Sequence, residues 1–249
     1  MNELHPDPNG MVLVYIDDPN FIYYMSKYET TNSQYCQFLN TAFASGDIAV
    51  GVDNIVYGAS GSNSGADFVG EIYFETYAAD LDSQISYSNG VFSVRSRDGY
   101  DMSDHPVVEV SWYGATAFCN YYGFRLPTEW EWQAVADYDG SYTYGCGTTI
   151  DQSKANYYDS GYANPLGLSS EPYTSPVDHY SSYGYGMNDM AGNVWEWASN
   201  CYYSDCSDSS RIIRGGSWNG YNYNCTVSYR GTAYPYSTGL GIGFRVVYR

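Results

Sequence analysis

The stretch NDMAGNVWEW, residues 188–197, does most to limit what this chain can become. Its two tryptophans, Trp195 and Trp197, flank Glu196. On an extended strand successive side chains point to opposite faces, so the indoles share one face and the carboxylate takes the other. A carboxylate set between two large apolar rings is costly to bury unless it meets a cation. Two partners are open to Glu196: an arginine or a metal ion. Just upstream, Asp189 and Asn193 offer oxygen ligands, and Gly192 lets the backbone turn so that carbonyls can join them. Hard oxygen ligands suit calcium. The same Asx residues equally suit an ordinary turn whose side chains cap the backbone. RIIRGGSW follows at 211–218, after a short Tyr/Ser/Asp insert.

Upstream, MVLVYI at 11–16 and Phe21 to Tyr28 read as strands. Thr31 then caps a helix, with Gln34 closing a capping box. Tyr35, Phe38, Leu39 and Ala42 give that helix one apolar face. Residues 44–100 read as a peripheral insertion without chemistry: a loop at 59–67 and short strands in IVY, EIYFETY and GVFSVRSR. Ser111 caps a second helix through Trp112, Ala115, Phe118 and Cys119, which stops at Gly123. In RLPTEWEWQAVA, Thr128 and Glu131 form another capping box, and Trp130 and Ala134 are expected on the inner face. Glu129 and Glu131 suit the N-terminal helix dipole, which explains them without an acid–base role. Residues 138–185 read mostly as loop. The closing strand FRVVYR is expected beside MVLVYI.

A chain of 249 residues buries a substantial core as one domain, taken here as 1–249. Its net charge of −18 repels phosphate backbones and anionic lipid, which argues against nucleic-acid and membrane-surface roles. No apolar run approaches a bilayer span, so no membrane insertion is expected. The N-terminus MNELHPDPNG lacks a signal pattern. These features assign no compartment, and display at a cell or virion surface stays open. With 31 Tyr, 9 Phe and 6 Trp, the composition is that of a packed chain rather than a disordered one.

Six cysteines include no CxxC pair and no Cys/His cluster, which argues against zinc. Cys201 and Cys206 could bridge within the insert. Cys36 and Cys119 lie on apolar helix faces and read as buried thiols. His5, His105 and His179 are far apart and form no HxxxH or HExxH spacing, so neither a histidine metal site nor a hydrolytic triad is supported. Gly215 and Gly216 are not followed by anything like GxxxxGK. Residues 211–249 carry five arginines and no acid. Arg214, Arg230 and Arg245 read as framework, paired with acids such as Glu196. Between them, Trp218 to Gly241 holds five Tyr, four Gly, three Asn and two Ser, the composition of antibody binding loops.

GNVWEW followed by RxxRGGSW resembles the formylglycine-generating enzyme (sulfatase-modifying factor) family, a variant of the C-type lectin fold. KYETTNSQYCQFLN at 27–40, HPVVEVSWYGATAFCNYYGFRLPTEWEW at 105–132 and GIGFRVV at 241–247 stand in the family's order. The resemblance implies an α+β C-type-lectin-like fold, with two main helices around small antiparallel sheets and much irregular structure. It implies a structural calcium ion on the side chains of Asp189 and Glu196 and the carbonyls of Gly192 and Val194. A second family calcium site would use Asn156 and the Tyr157 carbonyl, but its downstream acidic ligand has no clear counterpart. The family's enzymes bind copper through two cysteines, three and eight residues after the serine of GGS. Counted from Ser217, those positions are Gly220 and Cys225. One thiol is present and the other is missing, so the copper pair is lost. Cys225 reads as a core thiol or half of a disulfide.

The strip also resembles the C-terminal segment of variable proteins of diversity-generating retroelements, which share this lectin-like fold. Adenine randomisation of Asn-rich templates yields no Lys, Glu, Gln, Met or Trp, and residues 219–241 contain none of these. Fixed-looking spacers are Trp218, Cys225, Val227, Arg230, Pro235 and Ile242 to Arg245. Between them, the positions read as variable and ligand-binding are Gly220, Tyr221, Tyr223, Tyr229, Gly231, Thr232, Ala233, Tyr234, Tyr236, Ser237, Thr238, Gly239 and Leu240. The expected function is a non-enzymatic recognition or display protein for a protein or surface-glycan ligand. The alternative is a copper-dependent formylglycine-generating oxidase or a related iron-dependent sulfoxide synthase-like oxidoreductase.

Overall fold

The computed structural model describes residues 10–19, 21–61, 68–207 and 209–248; His5, most of the N-terminal stretch and most of the 59–67 loop lie outside them. β1 (Leu13–Asp18) and β2 (Phe21–Ser26) form an antiparallel hairpin. The first helix, α1 (Asn32–Ser45), starts at Thr31 with the expected capping box and ends at a left-handed Gly46. Short strands follow: β3 (Ile48–Val50), β4 (Ile55–Gly58), β5 (Ile72–Glu75), β6 (Ile85–Ser88), β7 (Val91–Val94), β8 (Ser96–Arg97) and β9 (Tyr100–Asp101). α2 (Trp112–Tyr122) is capped by Ser111 and stopped by Gly123. α3 (Glu129–Asp137) has its capping box from Thr128 and Glu131.

No helix or strand forms between Asp137 and Trp195, in keeping with the loop composition of that region. β10 (Trp195–Cys201) then pairs antiparallel with β11 (Arg211–Arg214), and the Cys201–Cys206 disulfide closes the hairpin between them. β12 (Gly231–Ala233) extends that sheet on the β11 side, and β13 (Ile242–Gly243) runs parallel to β10 on the other. β14 (Val247–Tyr248) joins the first hairpin. The result is an α+β, C-type-lectin-like architecture of three helices and small sheets, with no helix among the described residues long and apolar enough to cross a membrane.

Four expectations are corrected. The closing strand pairs with β2 rather than with MVLVYI, giving the order β1-β2-β14; the chain ends still share one sheet. The sheets are not all antiparallel, because β13 runs parallel to β10. In α3 the inner face is Glu129, Trp132, Val135 and Ala136, while Trp130 is 60% exposed. The 3.6-residue period fits either stripe, and the choice falls to Arg230, which draws Glu129 inward. Finally, the 44–100 region is not peripheral. Ile48, Val56, Phe74, Ile85 and Phe92 belong to the main core with Tyr35, Phe118, Trp197 and Phe244. β3 and β7 pack on α1, and β5 packs on the helix that follows at 112–122.

Candidate binding face and metal loop

Glu196 has no solvent exposure, and its cation is Arg245. The Arg245 Nε donates to Glu196 Oε2 at 2.6 Å and Nη2 donates to Oε1 at 2.7 Å; Trp132 Nε1 donates to Oε2 at 2.7 Å. The remaining guanidinium hydrogens go to the carbonyls of Ser26, Lys27 and Asn188. This bidentate pair therefore ties β10 to the segment before β14 and to the end of β2. Both oxygens of Glu196 accept from strong donors, and Oε1, with a single donor, keeps a lone pair for a cation. Arg230 likewise pairs with Glu129, at 2.6 and 2.9 Å. Arg214 departs from the expectation: it has no carboxylate partner among the described residues and donates to Gln133 and to the Val227 and Tyr229 carbonyls.

Asp189 is buried, and neither carboxylate oxygen has a hydrogen-bond partner among the described residues. Burial raises its pKa, Arg245 pulls it down, and Glu196 pushes it up again, leaving it at about 8. Glu29 lies buried in the same pit, also held well above the ordinary carboxylate range by burial and by Asp189 and Glu196. It accepts from Asn193 Nδ2 at 2.6 Å and from the Val194 amide at 3.2 Å. Three buried carboxylates thus face one guanidinium. That imbalance, with the open lone pairs of Asp189, fits a divalent cation at Asp189, with the Gly192 and Val194 carbonyls in the same loop. The loop needs its glycine: a Cβ on Gly192, which has φ +81°, would fall 2.3 Å from the Asn156 carbonyl oxygen. Asn156 Oδ1 is buried without a partner, whereas the Tyr157 carbonyl accepts from Gln152 at 2.9 Å.

The C-terminal strip separates into anchors and surface. Trp218, Cys225, Val227, Pro235, Gly243, Phe244 and Arg245 are buried. Ile242 is half-buried and Arg230 is exposed, so these two spacers are held by β13 and by Glu129 rather than by burial. None of the thirteen positions read as variable is buried. Gly220, Tyr229, Gly231, Ala233, Ser237, Thr238, Gly239 and Leu240 are half-buried, and Tyr221, Thr232, Tyr223, Tyr234 and Tyr236 are exposed. Tyr221 stacks on Tyr223 (5.8 Å, 14°) and Tyr234 on Tyr236 (5.4 Å, 3°). The scaffold fixes the backbone beneath them. The Trp218 amide donates to the Asn193 carbonyl at 2.8 Å, Trp218 Nε1 to Leu240 at 3.0 Å, and the Trp112 amide to Pro235 at 3.1 Å. Tyr158 and Tyr162 widen the face by packing on Tyr221 and Trp218. Sequence reasoning missed both, because they stand in a loop with no periodicity to place them.

It also missed Glu75, Asp80 and Glu109, whose carboxylates lie within 4.8 Å of one another. They flank the loop that carries Thr238, and the Glu109 amide donates to the Gly239 carbonyl at 3.2 Å. Burial first, and then Asp80 and Glu75, raise the Glu109 pKa to about 8. The folded chain therefore holds a proton on Glu109 that the unfolded chain releases above its ordinary pKa. The stabilisation is present below about pH 4.5 and lost as pH rises to about 8. Glu109→Gln should flatten this fall and raise stability above pH 8 by roughly 5 kcal/mol. Thermal melts of both proteins from pH 5 to 9 would show it, and parallel curves would refute it.

Three helices around small sheets, with both chain ends in one sheet, make this an α+β fold of the C-type-lectin-like class. Residues 20–249 match the sulfatase-modifying factor enzyme 1-like domain, and the chain belongs to that family. It is 34% identical over 190 residues to serine/threonine-protein kinase pkn1 of Chlamydia caviae, covering 70% of this chain and 28% of that one. The chain thus spans little more than a quarter of that relative's length. It is 25% identical over 297 residues to the formylglycine-generating enzyme of Bos taurus (96% and 73% covered). It is 34% identical over 153 residues to the inactive C-alpha-formylglycine-generating enzyme 2 of Bos taurus (57% and 50% covered). Among solved structures, Treponema denticola variable protein 1 superimposes with a TM-score of 0.55 at 19% identity, covering 96% and 91%. That last likeness is one of fold.

Proposed function

We propose that this chain is a non-enzymatic recognition protein whose ligand, a protein or a surface glycan, docks on the tyrosine face of residues 218–241. The observation that carries the reading is the exposure of Tyr221, Tyr223, Tyr234 and Tyr236, each 50–55%, on a backbone anchored by buried Trp218 and Pro235. Rigid amphipathic rings held in place give contact area at little entropic cost. The variable-protein composition of the segment supports diversification by a retroelement. That part predicts a reverse transcriptase gene and a near-copy of the segment in neighbouring DNA. A segment fixed across nearly identical chains would remove diversification and leave binding. For a ligand found by glycan or surface-protein arrays, Tyr234→Ala and Tyr236→Ala should each weaken binding at least tenfold, as interface anchors do.

Family membership keeps the oxidase reading alive, and Gly220 in place of a thiol counts against it. Copper titration with oxygen uptake on a cysteine peptide decides between them. No stoichiometric copper binding and no turnover are expected; stoichiometric copper together with turnover would overturn the binding reading.

Calcium is proposed as the structural ion at Asp189, with the Gly192 and Val194 carbonyls. It would neutralise the buried acidic excess beneath the binding face. Calcium at 100 times its dissociation constant should stabilise the wild type by about 2.7 kcal/mol and leave Asp189→Ala unmoved. Equal shifts in both proteins would place the ion elsewhere.

A further inference from the structure

Four cysteines are free and buried: Cys36, Cys119, Cys146 and Cys225. Cys36 and Cys119 lie in the large main core. Cys146 and Cys225 instead share a small apolar cluster with Ala155, Tyr157 and Ala191. The segments that carry them run side by side. Tyr144 bridges Thr226 antiparallel, and the Val227 amide donates to the Thr143 carbonyl at 2.9 Å. The ladder stops at Tyr144, where the chain turns back to Gly147, and this turn sets Cys146 in the same apolar cluster as Cys225, near enough for its sulfur to push the Cys225 thiol up. Tyr144 and Gly147 exchange hydrogen bonds of 2.8 and 2.9 Å, closing the turn that holds Cys146. Gly216 leaves room for the other sulfur: a Cβ there would lie 2.6 Å from Cys225 Sγ. Cys146 makes a 3.8 Å contact to the Thr149 carbonyl, and Cys225 makes one to the Tyr221 carbonyl and also receives a hydrogen bond from the Gly192 backbone.

We propose that Cys146 and Cys225 are a dithiol that closes to a reversible disulfide, fastening the base of the tyrosine segment to the loop at 143–147. The oxidant is a low-molecular-weight disulfide such as oxidised glutathione. Cys146 is the entry thiol, at 5% exposure against 0% for Cys225. Burial pushes both thiols up, Cys146 to about 11 with Lys154 pulling it back, and Cys225 to about 12, so exchange is slow at neutral pH. The Cys146 thiolate attacks one glutathione sulfur, forms a mixed disulfide and expels a glutathione thiolate. The Cys225 thiolate then attacks Cys146 Sγ and expels the second. Two protein thiols become one disulfide and one glutathione disulfide becomes two thiols, so electrons and protons balance. Cys225 lies at the end of the Asn222–Cys225 turn that follows Tyr221. Closing the bond would therefore stiffen the ground under Tyr221 and Tyr223. That consequence rests on the binding reading, whereas the bond itself does not.

The test treats the full chain with oxidised glutathione, blocks remaining thiols with N-ethylmaleimide and maps peptides without reduction. A linked peptide joining Cys146 to Cys225 is expected, with Cys36 and Cys119 alkylated. The melting temperature should rise by roughly 5–10 °C and fall back with dithiothreitol, as a bond closing so long a loop implies. Cys146→Ala should lose both the link and the shift. Full alkylation of Cys146 and Cys225 after oxidation, glutathione on either without a link, or a bond to Cys36 or Cys119 would overturn the proposal. If the alanine variant does not fold, the wild-type map decides alone. A missing link leaves the binding reading standing, and a missing ligand leaves the link standing.

Discussion

Replacing Arg245 with methionine should destabilise the protein by about 4 kcal/mol, the range for stranding one member of a buried ion pair. Arg245 supplies two of the three hydrogen bonds that reach Glu196, and both residues have no solvent exposure. Without it, Glu196, Asp189 and Glu29 would share one buried pit with no counter-charge. Urea denaturation should show a lower midpoint at an unchanged slope. Adding Glu196→Gln to the methionine variant should recover part of the loss, because the stranded charge goes with its partner. Millimolar calcium should recover part of it too, by supplying the missing positive charge beside Asp189. A loss under 1 kcal/mol would mean that the pair does not organise the fold as the hydrogen bonds indicate.

Trp218→Ala should cost about 4 kcal/mol through the cavity left by a wholly buried indole. Its effect should also be local in a telling way. Trp218 holds Leu240 through its ring nitrogen and packs against Tyr162 and Tyr173 at 5.4 and 5.3 Å. The 219–240 segment hangs between Trp218 and β13. Hydrogen exchange should therefore speed up across 219–240 more than in β10 and β11, which pair with each other directly. Unchanged protection in 219–240 would show that the segment is held by something other than this ring.

Much of the scaffold is legible in local sequence. Thr31 with Gln34 and Thr128 with Glu131 start their helices because a capping box needs only residues three apart. Gly46 and Gly123 end theirs because few other residues tolerate the left-handed turn. The Cys201–Cys206 bond is short-range, and its cysteines are five residues apart. The anchor-and-surface alternation of the C-terminal strip follows from residue type alone, since Trp218, Cys225 and Val227 are apolar and the tyrosines between them are amphipathic. The α3 face is different. Two stripes satisfy its period, and the salt bridge from Arg230, 101 residues away, selects between them.

The helices, the exposure of the tyrosine strip and the need of Glu196 for a positive partner each depend on residues close along the chain or on their chemistry alone, and so can be read before folding. Tertiary structure decided which cation answers Glu196, that Asp189 is left with open lone pairs, that Glu75, Asp80 and Glu109 converge beside Thr238, and that Cys146 comes alongside Cys225. Each of these joins residues tens of positions apart. Whether two such groups meet depends on how the sheets register and pack, and neither composition nor spacing carries that information.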